Sequence, residues 1–322
     1  MFQEYNIAAM SEVPALIGSF AQAVGFTVNT ANPNAPIITT PGGTLPITVS
    51  YATRGSGAAL RQTVRAENVA NTFCAITSAP RRRNGANSTS VPVQVAPTKL
   101  IMIGGLLPQP YIAAVIAFGF NLYRHLYIGN MEKIGNYTGG EVVAGSFNTD
   151  SPNYDCNFRS SQTQYLFNSW NNTGAPWTDN ECGAVRVTHA DNPSAKRVFR
   201  QIVGDIETNS MTLTAAIGGF KDDINDGYLM RGESSYSGAA ILVPFNLYAV
   251  RPSSRISAIG RVAGVRMVRM DDIEPEVTIT VGGEQWYVVP MFRKSANEGI
   301  SFPAYGYPTD ETSYLIGMAY KK

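Results

Sequence analysis

Charge is what this sequence has least of. Lys, Arg, Asp and Glu make up 15% of its 322 residues, against roughly 25% in average usage. The formal net charge of +1 excludes wholesale capture of polyanions, although it hides local asymmetry. Histidine is nearly absent: His125 and His189 are the two, so a Ser/His/Asp triad would have to use one of them. Cysteine is almost as sparse. Cys74, Cys156 and Cys182 give neither C-x-x-C nor a zinc pattern, cannot all pair within one chain, and fit free thiols in a reducing cytosol. Long apolar runs are missing too. The longest, Tyr111 to Phe120, is about half of the ~20 residues a spanning helix needs, so no membrane partner is expected. The opening residues MFQEYNIAAM lack the basic and apolar regions of a signal peptide, and a chain soluble when made is the expectation. No segment repeats at a fixed period, which removes solenoids and propellers.

What remains is a β-rich, polar, weakly charged chain. Hydrophobic residues at 44% supply a core, and the length leaves one elaborated domain or two open. Residues 5 to 25 read as one helix, because Ser11 and Glu12 precede Pro14 and Val13, Leu16, Ile17, Phe20 and Val24 recur at helical spacing. Strands are predicted at Phe26–Asn29, Ile47–Tyr51, Thr72–Thr77 and Lys99–Ile103. Further strands fall at Val198–Val203, Ala240–Val250, Val262–Met270, Glu276–Val281, Gln285–Val289 and Tyr314–Tyr320. Gly282-Gly283 joins two of these as a hairpin. The fold class expected is α+β: a mostly antiparallel twisted β-sheet with an N-terminal helix, plus an irregular insertion and further β-structure. Residues 1–149 form the core with a basic loop at 78–98, 150–235 the insertion, and 236–322 the strands that complete the core.

The stretch Tyr111 to Gly145, YIAAVIAFGFNLYRHLYIGNMEKIGNYTGGEVVAG, organises the rest. Its apolar run turns at Gly119-Phe120-Asn121, resumes at Leu122–Ile128 and breaks at Gly129-Asn130, which reads as a hairpin. Around Gly139 the glycine pairs mark positions where backbone freedom matters more than side chains. The order R-H-x-x-x-G-x-x-E-K-x-G-x-x-T-G-G is carried by Arg124, His125, Gly129, Glu132, Lys133, Gly135, Thr138, Gly139 and Gly140. It resembles a segment of tailed-bacteriophage virion structural proteins of the neck and tail end. The resemblance spans roughly residues 1 to 149 and the last strands. It implies a scaffold role for these residues in a ring-forming, tail-terminator-like (gateway) subunit of the virion, most simply of six copies. Its partners would be its own copies, the tail tube and the head connector, with a baseplate or tail-tube-associated position as the alternative. No catalytic residue, metal or cofactor is implied. The long insertion departs from the family's size.

Catalytic readings have thin support. His125 sits mid-strand, where positions alternate between core and surface. His189 lies in a loop near Asp191, and no G-x-S-x-G elbow accompanies it. Asp222, Asp223, Asn225, Asp226 and Gly227 lack the spacing and final Glu of an EF-hand. Gly104-Gly105 and Gly139-Gly140 are not phosphate loops. A carbohydrate-active hydrolase would need paired carboxylates, and Asp155 and Asp179 near Trp170 and Trp177 are the residues that would suit one. The stronger feature is local charge. Arg54, Arg61, Arg65, Arg81, Arg82 and Arg83 face only Glu67 within 54–83, while acidic runs lie at 222–226 and 271–276. Three readings stay open for the arginines: a solvated loop, an interface between copies, or non-specific contact with packaged DNA. Adjacent arginines with no interleaved aromatics suit phosphates better than stacked bases.

Overall fold

The computed structural model describes residues 1–54, 61–68, 71–77, 96–118, 122–146, 184–189, 213–215, 240–251, 255–270, 273–291 and 316–322. The fold is mostly antiparallel β-sheet with one N-terminal helix, as the sequence predicts. It begins with a strand, β1 (Phe2–Asn6), where the helix was expected to start. A 3-10 turn at Met10–Glu12 follows, and the Glu12 carboxylate accepts the N–H groups of Ala8 and Ala9 at 3.0 and 2.8 Å. Helix α1 covers Val13–Val24. Pro14 explains the late start. It has no N–H to give and belongs in a first turn, which leaves the residues before it to pair in a sheet. Ile17, Phe20, Ala21 and Val24 bury one face of α1, and Gly25 closes it by donating to Ala21 and Gln22.

Strands β2 (Thr27–Asn29), β3 (Ile37–Thr39), β4 (Ile47–Arg54), β5 (Arg61–Asn68) and β6 (Asn71–Thr77) form a five-stranded antiparallel meander. Among the described residues the larger sheet has 12 strands and takes in β1, β7 (Pro97–Gly105), β8 (Tyr111–Phe118), β9 (Leu122–Lys133), β10 (Gly139–Gly145) and β11 (Ala184–His189). To these it adds β12 (Leu213–Ala215), β13 (Val243–Arg251), β14 (Arg255–Arg269), β15 (Val277–Val281), β16 (Glu284–Pro290) and β17 (Ile316–Lys321). Its main path is β1-β7-β8-β9-β14-β17-β16-β15.

β1 opens that path and β16 is next to its far end, yet the rings of Phe2 and Tyr287 lie 4.8 Å apart and Tyr287 donates to Glu4 at 2.8 Å. The sheet therefore folds over on itself. One core fills the fold, where Tyr111, Val115 and Tyr127 meet Phe245, Val265, Val289 and Tyr320. A second core lies on the other face of β7 to β9, where Leu100, Ile112, Leu126 and Ile128 meet α1 and Ile38, Val49 and Val64 of the smaller sheet. With cores on both sides, β8 is buried along its whole length and reads in sequence as an unbroken apolar run. A third cluster, built on Val268, Met270, Trp286, Val288 and Ala319, lines the outer face of β14, β16 and β17.

The hairpin expected after Tyr111 is present, with Phe118 opposite Leu122. The break expected at Gly129-Asn130 is not. Past Gly129, which pairs with Tyr111 at the start of β8, Met131, Glu132 and Lys133 pair with Val262, Arg261 and Gly260 of β14, and this new partner carries β9 on to Lys133. The Gly282-Gly283 hairpin joins β15 and β16 as expected. Two described pieces of the 150–235 segment are strands: β11 pairs with β10, and β12 with β13. His189 ends β11 and is not in a loop, because its backbone pairs with Gly139. The strand expected at Val198–Val203, the Arg81–Arg83 loop, the acidic run 222–226 and the residues Asp155, Trp170, Trp177, Asp179 and Asp191 lie outside the described residues.

Candidate functional site

Alternation along β9 sends Tyr123, His125, Tyr127 and Met131 into the first core, and Leu126 and Ile128 into the second. His125 is 0% exposed. Its Nε2 lies 3.0 Å from the carbonyl oxygen of Pro290, which can only accept, so Nε2 carries the proton. Nδ1 then accepts the Tyr320 hydroxyl at 2.7 Å. The imidazole thereby joins β9 to the end of β16 and to β17. Its own backbone is held by Ser146, whose Oγ accepts the His125 N–H at 2.8 Å and whose N–H donates back to the His125 carbonyl at 3.0 Å. Burial pushes the imidazole pKa down to about 4, and the Arg124 charge adds to that against the Pro290 and Met291 backbone groups. A neutral ring with both nitrogens engaged and no exposure is a cross-strand tie.

Arg124 is 2% exposed, and its Nη1 donates to the Tyr123 carbonyl at 3.0 Å. Glu132 is half-buried and directly opposite Arg261. Lys133 is exposed, donates to the Tyr137 carbonyl at 2.9 Å and lies 5.4 Å above the Tyr137 ring. Tyr137 in turn donates to Ile259 of β14 at 2.8 Å. Gly135 and Thr138 sit in the exposed turn between β9 and β10. Gly139 and Gly140 both have φ of +104°, in the left-handed region that L side chains rarely enter. Gly129 is required for another reason: a Cβ there would lie 2.7 Å from the Tyr111 Cβ and 2.8 Å from the Pro110 carbonyl.

Sequence reasoning missed the most heavily used carboxylate of the region. Glu141, 4% exposed, accepts the N–H groups of Thr44 and Leu45 at 2.9 Å each and the Thr40 hydroxyl at 3.3 Å. It fastens the loop before β4 to β10, and so the smaller sheet to the larger. Asn130 adds a bond to Pro41 at 3.3 Å. One signal was available: Glu141 is the only charged residue in the run EVVAG, where a buried charge has to be paired. Tyr320 and Ser146 had no such signal.

Arg54, Arg61 and Arg65 lie elsewhere, on the smaller sheet. Register puts Arg54 directly opposite Arg61, and Arg65 opposite Ser50. Arg65 is half-buried, and Glu67 accepts the Ser50 hydroxyl at 2.7 Å. Within the acidic 271–276 run, Glu276 is spent internally: it accepts from Lys99 and, at 3.1 Å, from the Tyr123 hydroxyl. Among the described residues no three His, Cys, Asp or Glu side chains are grouped to hold a metal ion. No described helix is long and apolar enough to cross a membrane. No family model and no curated protein matches the chain.

Proposed function

We propose that this protein is a structural component of a tailed-phage virion, a ring-forming, tail-terminator-like subunit that joins the head connector to the tail tube. The observation that carries this reading is the use made of the motif's polar residues. His125 ties three strands, and Arg124 and Lys133 cap backbone carbonyls. Glu141, which follows the motif, fastens the two sheets together. Side chains that in an enzyme would be aimed at a substrate are here spent on rigidity, which a subunit needs if it is to dock other proteins by shape. The low charge of the chain suits a surface buried against neighbours, and a cyclic assembly buries it with no open edge. Arg54 and Arg61 are opposite each other in the backbone register, and their charge suits the carboxylates of a neighbouring copy or the phosphates of packaged DNA.

The test is a nonsense mutant in the gene, with the lysate viewed by electron microscopy. DNA-filled heads and unjoined tails of variable length are expected. Normal joined virions would remove the structural role. A complete lack of tails would move the protein to the baseplate, where tube growth begins.

A further inference from the structure

Among the described residues, strand β15 is an edge. It pairs there with β16 alone, through Val277 to Val288, Ile279 to Trp286 and Val281 to Glu284. The turn that joins them, Gly282-Gly283, has φ of +61° and +81°, the signature of a two-residue type I′ hairpin. In such a hairpin the residues flanking the turn exchange their hydrogen bonds, and bonded pairs then alternate along the ladder. Val281, Ile279 and Val277 therefore spend their N–H and C=O groups on β16. The same groups of Thr278 and Thr280 point to the open side.

Exposed edges normally carry a guard, such as a charge, a proline or extreme shortness. β2 is three residues long, and β1 carries Glu4. β15 has none of these devices: its sequence is VTITV, with exposed threonines alternating with half-buried Val277, Ile279 and Val281. That sequence reads the same in both directions.

We propose that β15 is a docking edge for a second copy of this chain, paired antiparallel about a two-fold axis through Ile279. In that register Val277 meets Val281 of the other copy, Thr278 meets Thr280, and Ile279 meets its own counterpart. The outward groups of Thr278 and Thr280 become reciprocal hydrogen-bonded pairs, and cross-strand Thr–Thr pairs are favourable in themselves. The half-buried valines and isoleucine, which pack against the third cluster, continue that apolar surface into the partner. No like charges oppose each other. The nearest carboxylate, Glu276, falls opposite Gly282 and is already held by Lys99. An extended segment of any protein would satisfy the backbone, but only a second copy makes use of the palindrome. The contact is isologous, unlike the head-to-tail contacts of a ring, so it stands or fails apart from the virion reading.

Sedimentation velocity on the full chain across a wide concentration range tests it. The unmodified protein is expected to dimerise. The T278K/T280K variant sets lysine against lysine and should dimerise at least ~tenfold more weakly. Mixing it with T278E/T280E should restore a heterodimer, since each lysine then faces a glutamate. Both positions are exposed, and far-UV circular dichroism confirms that the variants keep their fold. Hydrogen exchange on the unmodified chain gives a readout without mutation: the Thr278 and Thr280 amides should slow as concentration rises. A chain that stays monomeric, a lysine variant that dimerises normally, a mixture that fails to associate, or threonine amides indifferent to concentration would each overturn the proposal.

Discussion

The β9–β10 and β4–β5 hairpins are both antiparallel pairs laden with polar residues, and they treat those residues in opposite ways. In β9–β10 the polar groups are buried and bonded: His125 to Tyr320 and Pro290, Glu141 to Thr44 and Leu45. In β4–β5 the backbone register sets Arg54 opposite Arg61, two residues of like charge. The first arrangement is what a fold needs internally, because a buried polar group left unpaired costs about 1–3 kcal/mol. The second does nothing for the isolated subunit, since like charges directly opposite are destabilising. A polar residue in a strand is thus a question about its partner, and the two hairpins find theirs in different places.

The difference is broken most sharply at Glu141. Glu141→Ala leaves two backbone N–H groups and the Thr40 hydroxyl without their acceptor and should cost about 4–5 kcal/mol, the low end of what three bonds to a charged group at about 1.5–3 each would give. Glu141→Gln keeps an oxygen in place and should cost less than half of that. Denaturant unfolding measures both. A loss under about 1 kcal/mol for the alanine variant would mean that the loop before β4 is held by other contacts.

His125 comes next. With the ring fully buried and both nitrogens bonded, His125→Ala should cost about 3 kcal/mol by cavity and lost hydrogen bonds. Tyr320→Phe, which removes only the donor to Nδ1, should cost about 1 kcal/mol. Equal melting of the wild type and His125→Ala would contradict the tie between β9, β16 and β17.

The same residue sets a pH dependence. Burial lowers the folded imidazole to about 4, while the unfolded one titrates near 6.5. Between those values the unfolded chain binds more protons, so stability rises with pH across that window and levels off above it. Acidification from pH 7 to pH 4 should remove up to about 3 kcal/mol through this group, at 1.36 kcal/mol per pH unit. The check is to compare wild type with His125→Ala across the window. An identical slope in both would assign the acid sensitivity to carboxylates instead.

Local pattern carried much of the fold into the sequence. The unbroken run of β8 announces burial on both faces, and Gly282-Gly283 announces the β15–β16 turn. β1 and β5 were illegible for a physical reason. In β5 the apolar face consists of Val64 and Ala66 alone, between arginines and threonine. In β1, Phe2 and Tyr5 fall on opposite faces of a two-residue alternation. At the site, the strand position of His125 was readable, but its partners were not, because Pro290 and Tyr320 lie 165 and 195 positions away. Glu141 met the same limit, the donors to it being 96 to 101 positions back. Periodicity reports which face a residue is on; only topology reports what waits there.

The smallest effect tests the other hairpin. Because Arg54 and Arg61 oppose each other across β4 and β5, Arg54→Glu turns a repulsive cross-strand pair into an attractive one. Such pairs contribute roughly 0.2–1 kcal/mol, and exposed ion pairs tend to the lower part of that range. The free subunit should therefore gain about 0.5 kcal/mol, and the gain should shrink as salt screens the pair. Assembly should move the other way. Under the proposed virion role, with the arginines facing carboxylates or phosphates in the particle, the glutamate would meet a like charge there, and the yield of joined virions should fall even though the subunit is more stable. Thermal melting in low and high salt, alongside plaque yield from the same allele, separates the two. A variant that is more stable and assembles normally would remove the arginine pair from the proposed assembly contacts.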